Sequence, residues 1–168
     1  LYYEMFQLWK KVRGLPKKLP FQIYFKNSRY AASDRQAREA AACSKYMCVV
    51  NGAGVCMFGS FLGIRRTPTF DWLNAVTGWN KSPEEYMEIG ERIQTTKQAF
   101  NVKHGIEPKA NKLSDRAVGR APLAQGANKG RTVLIEKMMS DYWGQFNWDV
   151  ATGKPTPECL ARLGIEIS

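Results

Sequence analysis

The sequence predicts an all-α fold of irregular layout. Two capping signatures, Ser33-Asp34-Arg35-Gln36 and Ser82-Pro83-Glu84-Glu85, each open a long run of helical periodicity. Apolar/polar alternation of the kind that marks a half-buried strand is confined to a weak stretch at residues 22–25. Glycine or proline punctuates the ends of nearly every periodic segment.

Taken in order, residues 1–13 carry Tyr2, Met5, Phe6, Leu8, Trp9 and Val12 close to a 3.6-residue period, and Gly14 ends the run. Residues 15–21 hold two prolines and two lysines and read as a connector. The Ser33 cap starts a helix through Ala37, Ala40, Ala41, Ala42 and Met47 to about Val50. Its alanines leave small side chains on several faces, which lets another backbone pack closely. A glycine turn follows, then an apolar and aromatic stretch at 55–62. Thr67-Pro68 starts the next helix, with proline at the first helical position, and Thr77-Gly78 ends it.

The Ser82 cap starts a long helix with Tyr86, Ile89, Ile93 and Phe100 on one stripe, closing at His104-Gly105. Residues 107–130 are polar, rich in Gly, Pro and Asn, and read as a long irregular segment of the kind that is functional or packed on another domain. Residues 133–146 are amphipathic through Leu134, Met138, Tyr142 and Trp143. Residues 147–155 form a turn, and Thr156-Pro157-Glu158 caps a last helix that ends at Gly164. The organisation expected is an N-terminal helix and connector at 1–32, followed by a helical domain at 33–168. No internal repeat stands out.

The chain has 168 residues, 44% of them hydrophobic, enough for one domain with a real core. Charged residues make up 24%, which argues against wholesale disorder. No apolar run approaches the roughly 18 residues of a bilayer span. The chain starts at Leu1 with no leader pattern, and reads as a fragment or domain of something larger. Net charge is +10, with the cations spread along the sequence. Spread basicity suits a solubilising surface first, and any acidic partner second. A nucleic-acid platform would interleave aromatics with Lys and Arg on one face, and no such stretch occurs. Four cysteines without disulfide density point to a reducing, cytoplasmic setting.

Candidate chemistry concentrates at Asn51-Gly52-Ala53-Gly54-Val55-Cys56. Here a cysteine stands at the end of a glycine turn directly after a helix. Glycine permits a sharp turn and close approach of backbone to a ligand, and a thiolate held there suits an iron–sulfur cluster. Cys43 and Cys48, five apart on one helix, lie roughly 140° apart around its axis and read as core. Cys159, in the first turn of the last helix, reads as structural. One thiolate cannot hold a cubane cluster, and a single histidine with dispersed cysteines gives no zinc spacing. Partners of Cys56 in metal binding would therefore lie outside this chain. His104 reads as a helix C-cap. Asp115-Arg116 and Gly119-Arg120 read as a solvated ion pair, with contact to an anionic cofactor as the alternative. Trp72, Trp79, Trp143 and Trp148 read as core.

An ordered set of segments resembles the C-terminal domain of the tungsten-containing aldehyde:ferredoxin oxidoreductase family. The first is the run from Asn51 to Cys56 followed by Met57-Phe58, which is similar to the family's Asp-x-x-Gly-Leu-Cys motif. Next are Trp72-Leu73-Asn74-Ala75-Val76-Thr77-Gly78-Trp79, Ser82-Pro83-Glu84-Glu85 and Gly90-Glu91-Arg92-Ile93. Ala99-Phe100-Asn101-Val102-Lys103-His104-Gly105 resembles a Phe-Asn-x-Arg-x-Gly stretch, and Asp115-Arg116 follows. Tyr142-Trp143, Trp148-Asp149, Gly153-Lys154-Pro155-Thr156 and Leu163-Gly164 complete the set. The match runs from about Ser33 to the end.

The resemblance implies an all-α domain packed on the upstream domains of a larger oxidoreductase. The implied cofactors are a tungsten ion held by two pterins and one [4Fe–4S] cluster. Cys56 matches the fourth cluster cysteine, the other three coming from a Cys-x2-Cys-x3-Cys run in an earlier domain. Asn51, Gly54 and Val55 match one pterin-binding loop. Asn51 stands where the family usually has Asp, so its contact to the pterin would lack a charge. The implied reaction is oxidation of a small aldehyde to the carboxylic acid, with electrons passed to ferredoxin or another electron-transfer protein. Reduction of an aromatic acyl-CoA, as in benzoyl-CoA-reductase-type members, is the alternative within the family. A basic helical module for nucleic acid or an acidic protein is the alternative of another class, with nucleic acid the weaker case and no membrane role.

Overall fold

The computed structural model describes residues 30–56 and 68–167. The segments expected at 1–13, 15–21 and 22–25, and most of 55–62, lie outside the described residues. Among the described residues the regular structure is helical, with one isolated antiparallel bridge between Trp148 and Pro155. The all-α expectation holds.

Helix α1 (Asp34–Gly52) starts where Ser33, in extended backbone, accepts from the Gln36 amide at 3.2 Å. That bond satisfies one of the amides the first turn leaves open. Helix α2 (Thr69–Thr77) begins one residue later than the proline signal suggested. Pro68 is its N-cap, not its first helical residue, and supplies no side-chain cap. Helix α3 (Pro83–Lys103) has the full reciprocal box: Ser82 accepts from the Glu85 amide, and Glu85 accepts from the Ser82 amide at 2.7 Å. The Glu85 carboxyl is held below its usual range by that backbone bond.

α1 and α3 form the central pair. They cross where Gly90 meets Lys45; a Cβ at Gly90 would lie 2.7 Å from the Lys45 carbonyl carbon and closer still to its oxygen. Only glycine allows the two backbones to come so near. α3 buries the large Tyr86 and Met87 near its N-terminus, and from the close approach onward the smaller or polar Gly90, Glu91, Thr95 and Ala99. Phe100, expected on the buried stripe, is instead 58% exposed and lies against the His104 ring at 4.0 Å. The reason is geometric. It follows Ala99 by about 100° around the axis, which turns it off the crossing line.

Two core clusters flank α1. One joins its Ala42, Cys43, Tyr46, Val49 and Val50 to Phe70 of α2 and Tyr86 and Met87 of α3. Phe70 and Tyr86 stack at 4.9 Å, and Tyr46 meets Phe70 edge-on at 6.0 Å. The other joins Ala41 to Trp143, Phe146, Trp148, Cys159 and Leu163 from the C-terminal segments. Each fully buried aromatic or leucine there contributes about 1.5–3 kcal/mol. Between the clusters sits a mostly buried carboxylate. Glu91 accepts from Lys45 at 2.7 Å and from Arg162, and Lys45 also lies over the Phe146 ring at 4.9 Å. One charge thus ties α1, α3 and the last helix together.

The stretch expected to be irregular at 107–130 is locally folded. It contains a 3₁₀ turn (Pro108–Ala110) and a short helix α4 (Asp115–Val118) capped by Ser114. Val118 is buried, and its carbonyl accepts from Val133 at 2.8 Å. A four-residue helix is too short to leave a periodic signal. Helix α5 (Ile135–Gly144) is shorter than the amphipathic run suggested, and Leu134 is exposed at its N-cap. Helix α6 (Pro157–Arg162) is capped by Thr156, as expected. Trp143 and Trp148 are core. Trp72 and Trp79 are each about half exposed, against the core expectation: α2 turns only Thr69 and Phe70 fully inward, and Trp79 lies beyond its Gly78 cap.

Candidate functional site

The turn after α1 is built by the backbone. The Val55 amide donates to the Val50 carbonyl at 3.0 Å, and the Gly54 amide donates to Asn51 at 3.2 Å. This 6→1 and 5→2 pair is a Schellman cap, and it requires a left-handed residue at Gly54, where φ is +70°. The residue after that glycine, Val55, folds back onto the core cluster that holds Val50. The next residue, Cys56, is then thrown outward and is exposed. Asn51, Gly52 and Gly54 are exposed beside it. The cap therefore does two things at once: it closes the open carbonyls of α1 and fixes where a thiol leaves the surface.

The other three thiols are buried. Burial, and then Glu39, push the Cys43 thiol up to about 12. Burial also raises Cys48 and Cys159. Cys48 donates to the Gln94 side chain at 3.4 Å, and Cys159 donates to the Phe146 carbonyl at 3.1 Å. These fit the core and structural readings made from spacing. The thiolate is the reactive form, so brief iodoacetamide treatment of metal-free protein at pH 8 is expected to label Cys56 alone. Equal labelling of Cys43 or Cys159 would contradict their burial.

Among the described residues no three His, Cys, Asp or Glu side chains come together as a metal site. His104 is the C-cap of α3, with Nδ1 at 2.8 Å from the Phe100 carbonyl, as a capping histidine should be. Arg120 pairs with Glu136 and, at 3.7 Å, with Asp115. All three are exposed, which matches the solvated ion pair. The charged group that sequence reasoning missed is Glu91 with Lys45 and Arg162. Its members are 46 and 71 residues apart, and nothing local marks such a meeting. The residues brought together at the turn are Asn51, Gly54, Val55 and Cys56, a backbone bend beside a free sulfur.

Among the described residues no helix is long and apolar enough to cross a membrane. Compared with known proteins, residues 4–165 match the family model described as aldehyde ferredoxin oxidoreductase, domains 2 and 3. The chain is 31% identical over 141 residues to the tungsten-containing aldehyde ferredoxin oxidoreductase of Pyrococcus furiosus, covering 84% of this chain and 23% of that protein. It is 30% identical over 142 residues to the protein of that name from Pyrococcus abyssi, with the same coverage. The similarity to the one from Thermococcus kodakarensis is 30% over 141 residues. The chain spans about a quarter of the length of these relatives.

Proposed function

Because the chain belongs to the aldehyde ferredoxin oxidoreductase family, over the part described as domains 2 and 3, we propose that it supplies one wall of a tungsten–pterin and iron–sulfur centre. The observation that carries this reading is the Schellman-capped turn, which presents Cys56 outward while three other thiols are sealed in the core.

The donors fit a share of such a centre and no more. Cys56 is a single exposed sulfur, suited to be the fourth thiolate of a [4Fe–4S] cluster whose other three come from an earlier domain. Asn51, Gly54 and Val55 would hold one pterin edge through backbone groups and the Asn51 amide. The cofactors, when bound, would supply the two-electron redox chemistry, which no side chain of this chain carries out itself. The residues of this chain position that pair. Gly54 sets the backbone direction, Val55 anchors the turn to the core, and Cys56 holds its sulfur on the same short loop. Asn51 accepts and donates hydrogen bonds without charge, so the field at the pterin is less negative than an aspartate would make it.

The substrate proposed is a small aldehyde, oxidised to its carboxylic acid, with ferredoxin or a similar carrier as electron acceptor. The relatives' own activity, tungsten-containing aldehyde ferredoxin oxidoreductase by name, favours this over reduction of an aromatic acyl-CoA. The setting proposed is the cytoplasm, with the preceding domains of the enzyme as partner and residues 33–168 as one cofactor-binding unit. The basic-module reading rests on net charge alone, and no described feature adds to it.

The test is metal analysis with a visible spectrum on the anaerobically purified native assembly. Iron at about four per active unit, tungsten, and a broad thiolate-to-iron band are expected. A colourless, metal-free assembly sinks the proposal.

A further inference from the structure

Asn51-Gly52 is the one asparagine–glycine pair in the sequence; every other asparagine precedes a residue that carries a Cβ. The pairing bears on the chemistry of the backbone itself. The peptide nitrogen that follows an asparagine can attack the side-chain amide carbon, and a glycine leaves that approach unhindered. Here both residues are exposed and lie in the last turn of α1, one residue before its Ala53 cap. Helix ends open more readily than helix middles. Other asparagines are tied down: Asn74 donates to the Lys81 carbonyl at 2.9 Å and accepts from Tyr86 at 2.7 Å, and Asn128 accepts from Tyr30 at 2.8 Å. Among the described residues no such bond engages the Asn51 side chain. Nor does the last turn of α1 hold a basic residue.

We propose that Asn51 is a site of spontaneous deamidation in the folded protein before a cofactor occupies the turn. The Gly52 nitrogen, having lost its proton, bonds to Asn51 Cγ; the Cγ–Nδ2 bond breaks and the side-chain nitrogen leaves as ammonia. Water then opens the cyclic imide. Cleavage between the Gly52 nitrogen and Cγ restores the main chain with aspartate at 51. Cleavage on the other side routes the main chain through Cβ and Cγ, lengthening it by one methylene. Either product alters the turn that presents Cys56. The aspartate puts a carboxylate on the negative end of the α1 dipole, with no cation in that turn to offset it. The lengthened chain breaks the spacing of the Val55–Val50 and Gly54–Asn51 backbone bonds. A chain that waits too long for its cofactor is thus marked irreversibly at the turn meant to receive it. Protection by the cofactor rests on the function proposed above; the modification site does not.

The whole enzyme is made with its cofactors and, in cells unable to synthesise the pterin, without them. Both forms are aged in mildly alkaline buffer and read by peptide mass spectrometry. In the cofactor-free form Asn51 is expected to lose its amide ahead of every other described asparagine, including the exposed Asn111. The rate should rise with pH, because the attacking nitrogen must lose its proton, and should stay below that of the same peptide in urea. Gly52→Ala is expected to suppress the loss; its Cβ would meet Ile93 Cδ1 at 3.8 Å, an ordinary contact, so the fold is kept. Retention of the Asn51 amide while Asn111 converts overturns the proposal. So does an unchanged rate in Gly52→Ala, or a rate equal to that in urea, which would place the reaction in unfolded chain. The cofactor-loaded form reads the other claim. Slower loss there supports contact between Asn51 and the cofactor; equal loss in both forms removes that contact and leaves the modification site standing.

Discussion

Gly90→Ala is expected to destabilise the protein by about 3 kcal/mol or more, the upper range for forcing extra volume into a packed crossing. The added methyl would lie 2.7 Å from the Lys45 carbonyl carbon and 3.1 Å from its Cα. Those are backbone atoms of a helix, and no side-chain rotation relieves them. The helices must move apart, which also stretches the Lys45–Glu91 bond beside the crossing. At this chain length the change corresponds to a fall in Tm of about 10 °C, readable by circular dichroism. Gly52→Ala is the control. A Cβ there sits 3.8 Å from Ile93 Cδ1, an ordinary contact, and the position is helical. That change is expected to be neutral or slightly stabilising. If both glycines tolerate alanine equally, α1 and α3 do not cross as described.

Cys56→Ser is expected to lower iron per protein and to weaken the visible thiolate-to-iron band in the native assembly. A serine oxygen replaces a soft sulfur donor, and the cluster loses one of the four thiolates such centres normally use. Stability of the metal-free chain should change by less than about 0.5 kcal/mol, because the side chain is exposed. Cys159→Ser gives the opposite pattern. Iron should stay unchanged while stability falls by about 1–3 kcal/mol, since a hydroxyl replaces a buried thiol in a core cluster. A Cys56 variant that keeps full iron and full colour would remove the cluster assignment.

Much of this was legible in the sequence because the signals are local. Ser33, Ser82 and Thr156 announce their helices within four residues, and Gly78, Gly105 and Gly164 end theirs in left-handed backbone. The turn at Asn51–Cys56 is legible for the same reason, since its glycine and its cysteine are neighbours. What failed was the choice of buried face. Periodicity favours the largest apolar residues, and so it selected Phe100, Trp72 and Trp79. On α3 the buried line keeps Tyr86 but then runs through Gly90, Thr95 and Ala99 and leaves Phe100 outside, while Trp72 on α2 and Trp79 beyond it are each about half exposed. Nor does any local pattern disclose that Glu91 will find Lys45 and Arg162, because that meeting exists only once three helices have packed.

The C-terminal cluster has a consequence for the order in which the domain is made. Ala41 lies early in the described chain, yet its neighbours are Trp143, Phe146, Trp148, Cys159 and Leu163. Tyr142 likewise donates to Ser44 at 3.0 Å across 98 residues. During synthesis α1 and α3 can pair as soon as α3 emerges, but one flank of α1 waits bare for some forty further residues. Long-range closure of this kind is slow and leaves apolar surface open to wrong partners. A nascent chain stalled before α5 would already hold the cluster under Val50 and Val55, but would leave Ala41 without Trp143, Phe146, Trp148, Cys159 and Leu163.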